Sequence, residues 1–322
     1  MIGLARRAQR CGRARKGMAL VFGLLLIFLL ASCAGKKYPP PSRDINQPVI
    51  ASYAAAAPAF DGKLQIIAFN IERGFYWPDI VKYIEDKRAD LPATIVLLSE
   101  CDRNHSRTQE VFVADAMAKA LAMNMAFATE FIEYNDETPE NQGDHGNAIL
   151  SPFPMSDITV IRLPTFYSWE KLGSLKGEPR FGDRVTIGAT IQLPDGRAIR
   201  VYSTHLESYA ETVGKWIQLS RTVQDAEQGG RPFVIGGDFN EVPGGLMFAM
   251  LPLYGVKNSF TGDLAPTGGC KPGAGRAECV LKIDWIVHKD VDLVDRFVDY
   301  PLNSQGGVIS DHAPVRAIFR VK

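Results

Sequence analysis

The chain has 322 residues, with 36 lysines and arginines against 36 aspartates and glutamates and 46% hydrophobic residues. That balance argues against a protein that grips duplex nucleic acid unaided, because such proteins carry a surplus of Lys and Arg for phosphate contacts. The five cysteines include no CxxC pair, so nothing points to a zinc site of that spacing.

The N-terminus reads as an export signal. Arg6, Arg7, Arg10, Arg13, Arg15 and Lys16 form a basic start, and Met18 to Leu30 is an apolar stretch of 13 residues. A membrane span needs about 20 apolar residues to cross ~30 Å of hydrocarbon, so this stretch is short for one. Leu30-Ala31-Ser32-Cys33 resembles a bacterial lipobox, which implies cleavage after residue 32 and a lipid on Cys33. An ordinary signal peptide or an uncleaved anchor is the alternative. Ala34 after the cysteine points by analogy to the outer membrane, and the expected location is the bacterial cell envelope, at the outer membrane or periplasmic face. Removing residues 1–32 takes away six positive charges and no negative ones, leaving 30 basic residues against 36 acidic. The mature chain is then acidic.

Three domains follow in order: a signal peptide over 1–32, a lipid-anchored flexible tether over 33–60, and a single catalytic domain over 61–322. The tether contains Tyr38-Pro39-Pro40-Pro41 and an alanine-rich stretch, without amphipathic period. From Lys63 onward short apolar strands alternate with helical stretches. Strands are expected over 64–70, 94–99, 126–131, 147–150, 184–193, 198–205, 233–236, 283–288 and 313–320. Helices are expected over 78–87, 109–123, 211–226 and 244–251. Asp195-Gly196 is a hairpin turn between two strands. Cys270 and Cys279 flank a turn-rich loop, and in an oxidising compartment such a pair forms a disulfide; the alternative is two unpaired loop thiols. Polar insertions at 132–145 and 162–183 are expected to shape the substrate entrance.

Acids, amides and histidines stand at the ends of these strands, where open α/β sheets place their ligands. Asn70 closes the first strand, Glu100 follows Ile95 to Ser99, and His205 follows Val201 to Thr204. Asp238 and Asn240 follow Val234 to Gly237, Asp284 begins an apolar strand, and Asp311-His312 precedes another. Over residues 63–320 the chain resembles the endonuclease/exonuclease/phosphatase family of deoxyribonuclease I-like, metal-dependent phosphoesterases. The resemblance rests on Ala68-Phe69-Asn70, Ser99-Glu100, Gly146-Asn147-Ala148-Ile149-Leu150, Thr204-His205-Leu206, Gly237-Asp238-Phe239-Asn240, Ile283-Asp284-Trp285-Ile286 and Ser310-Asp311-His312. Each segment alone is weak, and the ordered set carries the resemblance.

The resemblance implies an α/β (α+β) fold, a four-layer αββα sandwich of two mixed β-sheets packed face to face with outer helices. It implies a hydrolase of phosphate esters, a phosphodiesterase, nuclease or phosphatase, acting by in-line attack of water. Mg²⁺, with Mn²⁺ or Ca²⁺ as alternatives, is expected on Glu100 and Asn70, since a hard cation takes oxygen ligands and neutralises charge growing on the phosphoryl oxygens. His312 is the expected base with Asp284 orienting its other nitrogen, and Asp238 is the second candidate. Asn240 is expected to donate to the phosphate, and His205 to protonate the leaving oxygen or stabilise phosphate charge. Asn147, Arg184 and Asp311 are expected to bind phosphate or to support the residues that do; the bland alternatives are a turn residue for Asn147 and a solvent-facing strand end for Arg184. Glu72, Asp102 and Arg103 follow motif residues closely and fit either support of the site or a surface salt bridge. His105, His145 and His288 read as loop or surface histidines. Because the shared motifs contact the scissile phosphate only, nucleic acid, a phospholipid headgroup and a small phosphoester all remain open as substrates. The alternatives are an exported sphingomyelinase or phospholipase-like enzyme and a non-catalytic envelope binding lipoprotein. The expected partners are the substrate and, through the lipid anchor, the membrane; the protein is expected to be a monomer.

Overall fold

Strands that are apolar on both faces must be covered on both faces, and this requirement sets the layers. A computed structural model of the chain describes residues 43–134, 142–166, 168–171 and 179–322. One sheet holds β1 (Val49–Ala51), β2 (Lys63–Asn70), β3 (Thr94–Arg103), β4 (Asn124–Tyr134), β5 (Gln142–Ser151), β7 (Arg180–Gly182), β15 (Val291–Val298) and β16 (Val315–Val321). Its order is β1-β4-β5-β3-β2-β16-β15, with β7 also paired to β4. The other sheet holds β6 (Met155–Arg162), β8 (Val185–Gln192), β9 (Ala198–His205), β10 (Phe233–Asp238), β11 (Lys257–Asn258) and β14 (Asp284–Lys289), in the order β11-β14-β10-β9-β8-β6. A small hairpin of β12 (Lys271–Pro272) and β13 (Ala277–Glu278) stands apart. Both large sheets are mixed: β2 runs parallel to β3 and β9 parallel to β10, while β8 pairs antiparallel with β9 and β14 with β10.

Alternation along each strand divides the core. In β2, Leu64, Ile66 and Ala68 pack between the sheets with Ile187, Val201, Ile235 and Trp285 of the other layer. Their neighbours Ile67 and Phe69 point outward onto Ile80 and Ile84 of the helix Trp77–Asp90 and Met117 of the helix Val113–Ala120. The helix Thr212–Gln228 buries Leu219, Val223 and Ala226 against the second sheet. Helix, sheet, sheet, helix is the four-layer order.

Several elements differ from expectation. The second helix begins at Val113, because Gln109 and Glu110 adopt left-handed φ of 56° and 59° and cannot be helical. Strands β1, β6, β7, β11, β12, β13 and β15 are additional, being short or half-exposed and lacking a clean alternating pattern. β1 pairs with β4 and Ile45 is buried, so residues 43–60 pack on the domain and the tether expected over 33–60 is not free along that part. Residues 132–134 and 142–145, expected in a loop, extend the β4–β5 hairpin. The signal peptide, Cys33, residues 34–42 and the greater part of the 162–183 insertion beyond Lys171 lie outside the described residues. Cys270 and Cys279 are joined by a disulfide, and Asp195-Gly196 turns between β8 and β9 with Gly196 at φ 88°.

Candidate active site

The two parallel strand pairs end side by side, and their last residues meet across the gap between the sheets. Asp238 closes β10, opposite His205 on β9 and Asp284 on β14. It can sit there because residue 237 is glycine: φ is 148°, and a Cβ would lie 1.9 Å from the Thr204 carbonyl oxygen. One carboxylate oxygen of Asp238, Oδ2, is the meeting point of the site. Asn70 Nδ2 donates to it at 3.2 Å, His205 Nε2 lies at 3.4 Å, and His312 Nε2 lies at 3.8 Å. The other oxygen accepts the Asn240 backbone N–H at 2.8 Å. His312 Nδ1 is 2.9 Å from Asp284 Oδ2. Ser310 holds this histidine from behind, its hydroxyl donating to the Asn70 carbonyl at 2.7 Å and accepting the His312 N–H at 3.0 Å.

Glu100 is aimed by a bulge. The β3–β5 register shifts between Leu98 and Cys101, and Glu100 has φ 59°, the local kink that redirects a side chain out of a ladder. Its carboxylate accepts from Arg73 Nη1 at 3.2 Å, and the same nitrogen lies 3.2 Å from His145 Nε2. Arginine only donates, so His145 Nε2 accepts and its Nδ1–H is left for Asp102, 3.2 Å away. Asp102 in turn takes two hydrogen bonds from Arg107, at 2.6 and 2.8 Å. Burial alone would raise the Glu100 carboxyl, but Arg73 first, then His145, His205 and His312 hold it well below the usual range.

A second buried cluster supports His205. Arg184 Nη1 is 2.8 Å from His205 Nδ1 and 3.3 Å from both carboxylate oxygens of Glu130; Glu207 lies 3.8 Å from Arg184 Nε. The guanidinium again forces the acceptor role on the ring nitrogen it faces, so His205 carries its proton on Nε2, toward Asp238. Burial and then Arg184 push the His205 pKa well below the ordinary value, leaving a neutral N–H donor. Around His312 the balance is opposite: burial opposes the charged form, but Asp284 and Asp238 outweigh it and raise the pKa well above the usual value. Asp238 is pushed up to about 7, by burial first and by Asp284, against the pull of His312. These shifts favour the proton on His312 and leave Asp238 an acceptor near neutral pH.

The donor set fits a hard divalent cation. Asp238, Asp284 and His312 each offer an atom within 4.8 Å of the others. Glu100 adds a partly exposed carboxylate, and Asn70 Oδ1 accepts only the Glu72 N–H at 3.2 Å among the described residues, leaving a lone pair. The crowding of Asp238 by Asp284, which with burial raises the Asp238 pKa, is what such an ion would offset.

The expected residues are distributed as follows. Asn70, His205, Asp238, Asp284 and His312 converge; Glu100 stands beside them on Arg73. Asn240 has its backbone on Asp238 while its amide donates to Leu206 O at 3.0 Å. Asn147 donates to Val185 O at 2.7 Å, and its buried Oδ1 has no hydrogen-bond partner among the described residues. Arg184 is buried behind His205, not solvent-facing. Asp311 is exposed, its backbone N–H on Glu72. Asp102 is fully buried and Arg103 pairs with buried Asp144, so neither belongs to a surface salt bridge. His145 and His288 are buried in strands, the latter 2.9 Å from the Ser259 hydroxyl, so the loop-or-surface reading fails for both; His105 lies in a loop as expected, half-buried beside Glu133. Sequence reasoning missed Arg73, Glu130 and Glu207. An acid inside a mostly apolar strand, as Glu130 is in Ala126 to Ile132, was the available signal. A cavity of about 890 Å³ lined by Phe248, Phe260, Trp285 and His288 includes none of the converging residues.

The family model described as Endonuclease/Exonuclease/phosphatase family matches residues 67–312. No curated protein matches the chain. Among solved structures, an endonuclease/exonuclease/phosphatase from Beutenbergia cavernae aligns with TM-score 0.57 at 20% identity, covering 80% of this chain and 72% of that one. One from Bacteroides vulgatus gives 0.57 at 15% identity, covering 81% and 99%. The human Nocturnin catalytic domain with bound sulfate anion gives 0.55 at 17% identity, covering 85% and 98%. At these identities the likeness is one of fold.

Proposed function

This chain belongs to the endonuclease/exonuclease/phosphatase family, and from that premise we propose that it is a divalent-cation-dependent hydrolase of phosphate esters. The observation that carries the reading is the convergence of Asn70, His205 and His312 on one oxygen of Asp238. Such a cluster offers a phosphate ester both a proton acceptor and proton donors. In this reading Glu100 and Asn70 hold Mg²⁺, with Mn²⁺ or Ca²⁺ as substitutes, and the ion supplies charge neutralisation on the phosphoryl oxygens. Asp238 accepts the proton of the attacking water, and His312, kept charged by Asp284, faces the phosphate. His205 donates from Nε2 to a phosphoryl oxygen or the leaving oxygen. Asn240 would donate its second amide hydrogen to the phosphate, Asn147, buried with its amide on Val185 O, would support the strand beside the site, and Arg184 acts through His205. His312 as the base is the second reading, favoured by its bond to Asp284; it would need a neutral imidazole, the form a nearby divalent cation would favour by charge repulsion, with the proton lost to solvent.

We also propose, on sequence alone, that residues 1–32 are a signal peptide, that Cys33 carries a lipid, and that the enzyme works as a monomer at the bacterial envelope, probing nucleic acid, phospholipid headgroups or small phosphoesters there. The sulfate held by the Nocturnin domain supports an oxyanion ligand in this fold.

The test is hydrolysis of bis-p-nitrophenyl phosphate and p-nitrophenyl phosphate by the purified chain with Mg²⁺, Mn²⁺, Ca²⁺ or EDTA, beside Glu100→Ala. Cation-dependent release that the variant lacks is expected. Release that persists in EDTA refutes the cation, and no release from folded protein moves the non-catalytic lipoprotein ahead.

A further inference from the structure

Between Pro266 and Leu281 the chain leaves the site and returns to it, and the Cys270–Cys279 disulfide closes the excursion. At its root is Thr267, fully buried. The Thr267 hydroxyl oxygen accepts the backbone N–H of Ile283 at 3.1 Å and that of Asp284 at 2.9 Å. The carbonyl oxygen of the same residue accepts the Ala313 N–H at 2.6 Å, and Cys270 N–H donates to the Asp311 carbonyl at 2.8 Å. Those two backbone bonds bracket His312, which lies opposite Gly268 in an antiparallel bridge. The approach is close: a Cβ on residue 268 would lie 2.5 Å from Ile283 Cδ1 and 3.6 Å from His312 Cε1. Cys270, Ala277 and Ala313 pack together beneath the hairpin, so the closed loop is seated on the His312 segment by apolar contact as well.

Asp284 and His312 come from opposite sheets, β14 and the approach to β16. Their 2.9 Å contact therefore depends on whatever fixes one segment relative to the other, and Thr267 is bonded to both.

We propose that Thr267 is a positioning residue for the hydrolysis: by binding the backbone at Asp284 through its hydroxyl and at Ala313 through its carbonyl, it sets the Asp284–His312 contact, and the disulfide keeps its own segment in register. This rests on the reading of Asp284 and His312 as working groups. Thr267 touches neither substrate nor reacting atoms.

Thr267→Val keeps the shape and removes the acceptor; Thr267→Ser keeps the acceptor. A misplacement of about 1 Å costs on the order of 10²-fold in rate, so in Thr267→Val kcat on the ester that wild type hydrolyses falls about tenfold to a hundredfold. KM stays at the wild-type value, and Thr267→Ser restores kcat. The downfield imidazole proton of His312 hydrogen-bonded to Asp284, followed by NMR without substrate, is lost in Thr267→Val and kept in Thr267→Ser. Should Thr267→Val not fold, wild type reduced by dithiothreitol decides: two electrons open Cys270–Cys279 to two thiols as the reagent closes to its cyclic disulfide, and both kcat and the imidazole signal fall. Wild-type kcat and an intact signal in folded Thr267→Val, or in the reduced protein, overturn the proposal. A His312→Ala protein with full activity overturns the underlying functional reading instead.

Discussion

Glu130 offers a stability test that needs no substrate. It is fully buried in β4, its carboxylate 3.3 Å from Arg184 through both oxygens. Burial pushes its pKa up to about 7 from 4.5, even with Arg184 pulling it down, and Glu100 and Glu207 add to the rise. A carboxyl raised in the folded state binds protons that the unfolded chain has already released. Between pH 4.5 and 7 the native protein therefore holds more protons than the unfolded one, and stability falls as pH rises through that window. The shift of about 2.5 units at ~1.4 kcal/mol each amounts to about 3 kcal/mol. Glu130→Gln has the same shape and no titration. Urea unfolding in EDTA, for wild type and variant from pH 4 to 8, isolates the residue as the difference between the two curves. The variant should gain about 3 kcal/mol on wild type across the window and then run parallel above it. A constant offset at every pH, or a gain in the opposite direction, refutes the assignment of a destabilised carboxyl at this position.

Lys282 is buried with no hydrogen-bond partner for its ammonium among the described residues; it rests over the Phe260 and Trp285 rings at 4.3 and 5.0 Å. Burial pushes it down to about 8, so wild type should gain about 3 kcal/mol between pH 8 and 10.5 as the unfolded chain alone keeps the proton, whereas Lys282→Met should show no such gain in parallel urea titrations. Replacing Cys270 and Cys279 by serine opens a loop of sequence separation 9; chain entropy puts the loss at about 2–3 kcal/mol, read as a lower urea midpoint at unchanged slope. Arg73→Ala should raise the concentration of Mg²⁺ needed for half-maximal activity or abolish activity, because Glu100 loses the partner that orients it; unchanged cation dependence and rate would count against that role. Deleting residues 168–178 should change the preference among diester, monoester and lipid substrates while leaving cation binding intact, and loss of folding would remove the insertion from the entrance.

The resemblance read from seven short segments located most of the converging residues, since several of the motifs sit at strand ends. Asn70, His205 and Asp238, which end apolar strands, and Asp284, which begins one, were legible because a polar residue at the end of an apolar run is conspicuous in one dimension. The strands that the pattern missed, β1, β6, β7, β11, β12, β13 and β15, are short or half-exposed and thus carry no clear period. The sequence by itself determined the alternation of strands and helices and the identity of the polar groups at strand ends. Tertiary structure alone decided their charge states and partners. That Arg184 is spent on His205 and Glu130, that His145 joins Arg73 to Asp102, and that Thr267 ties Asp284 to the His312 segment depend on contacts between residues far apart in the chain. Burial and neighbouring charge set a proton's position, and neither is written in the local pattern of residues.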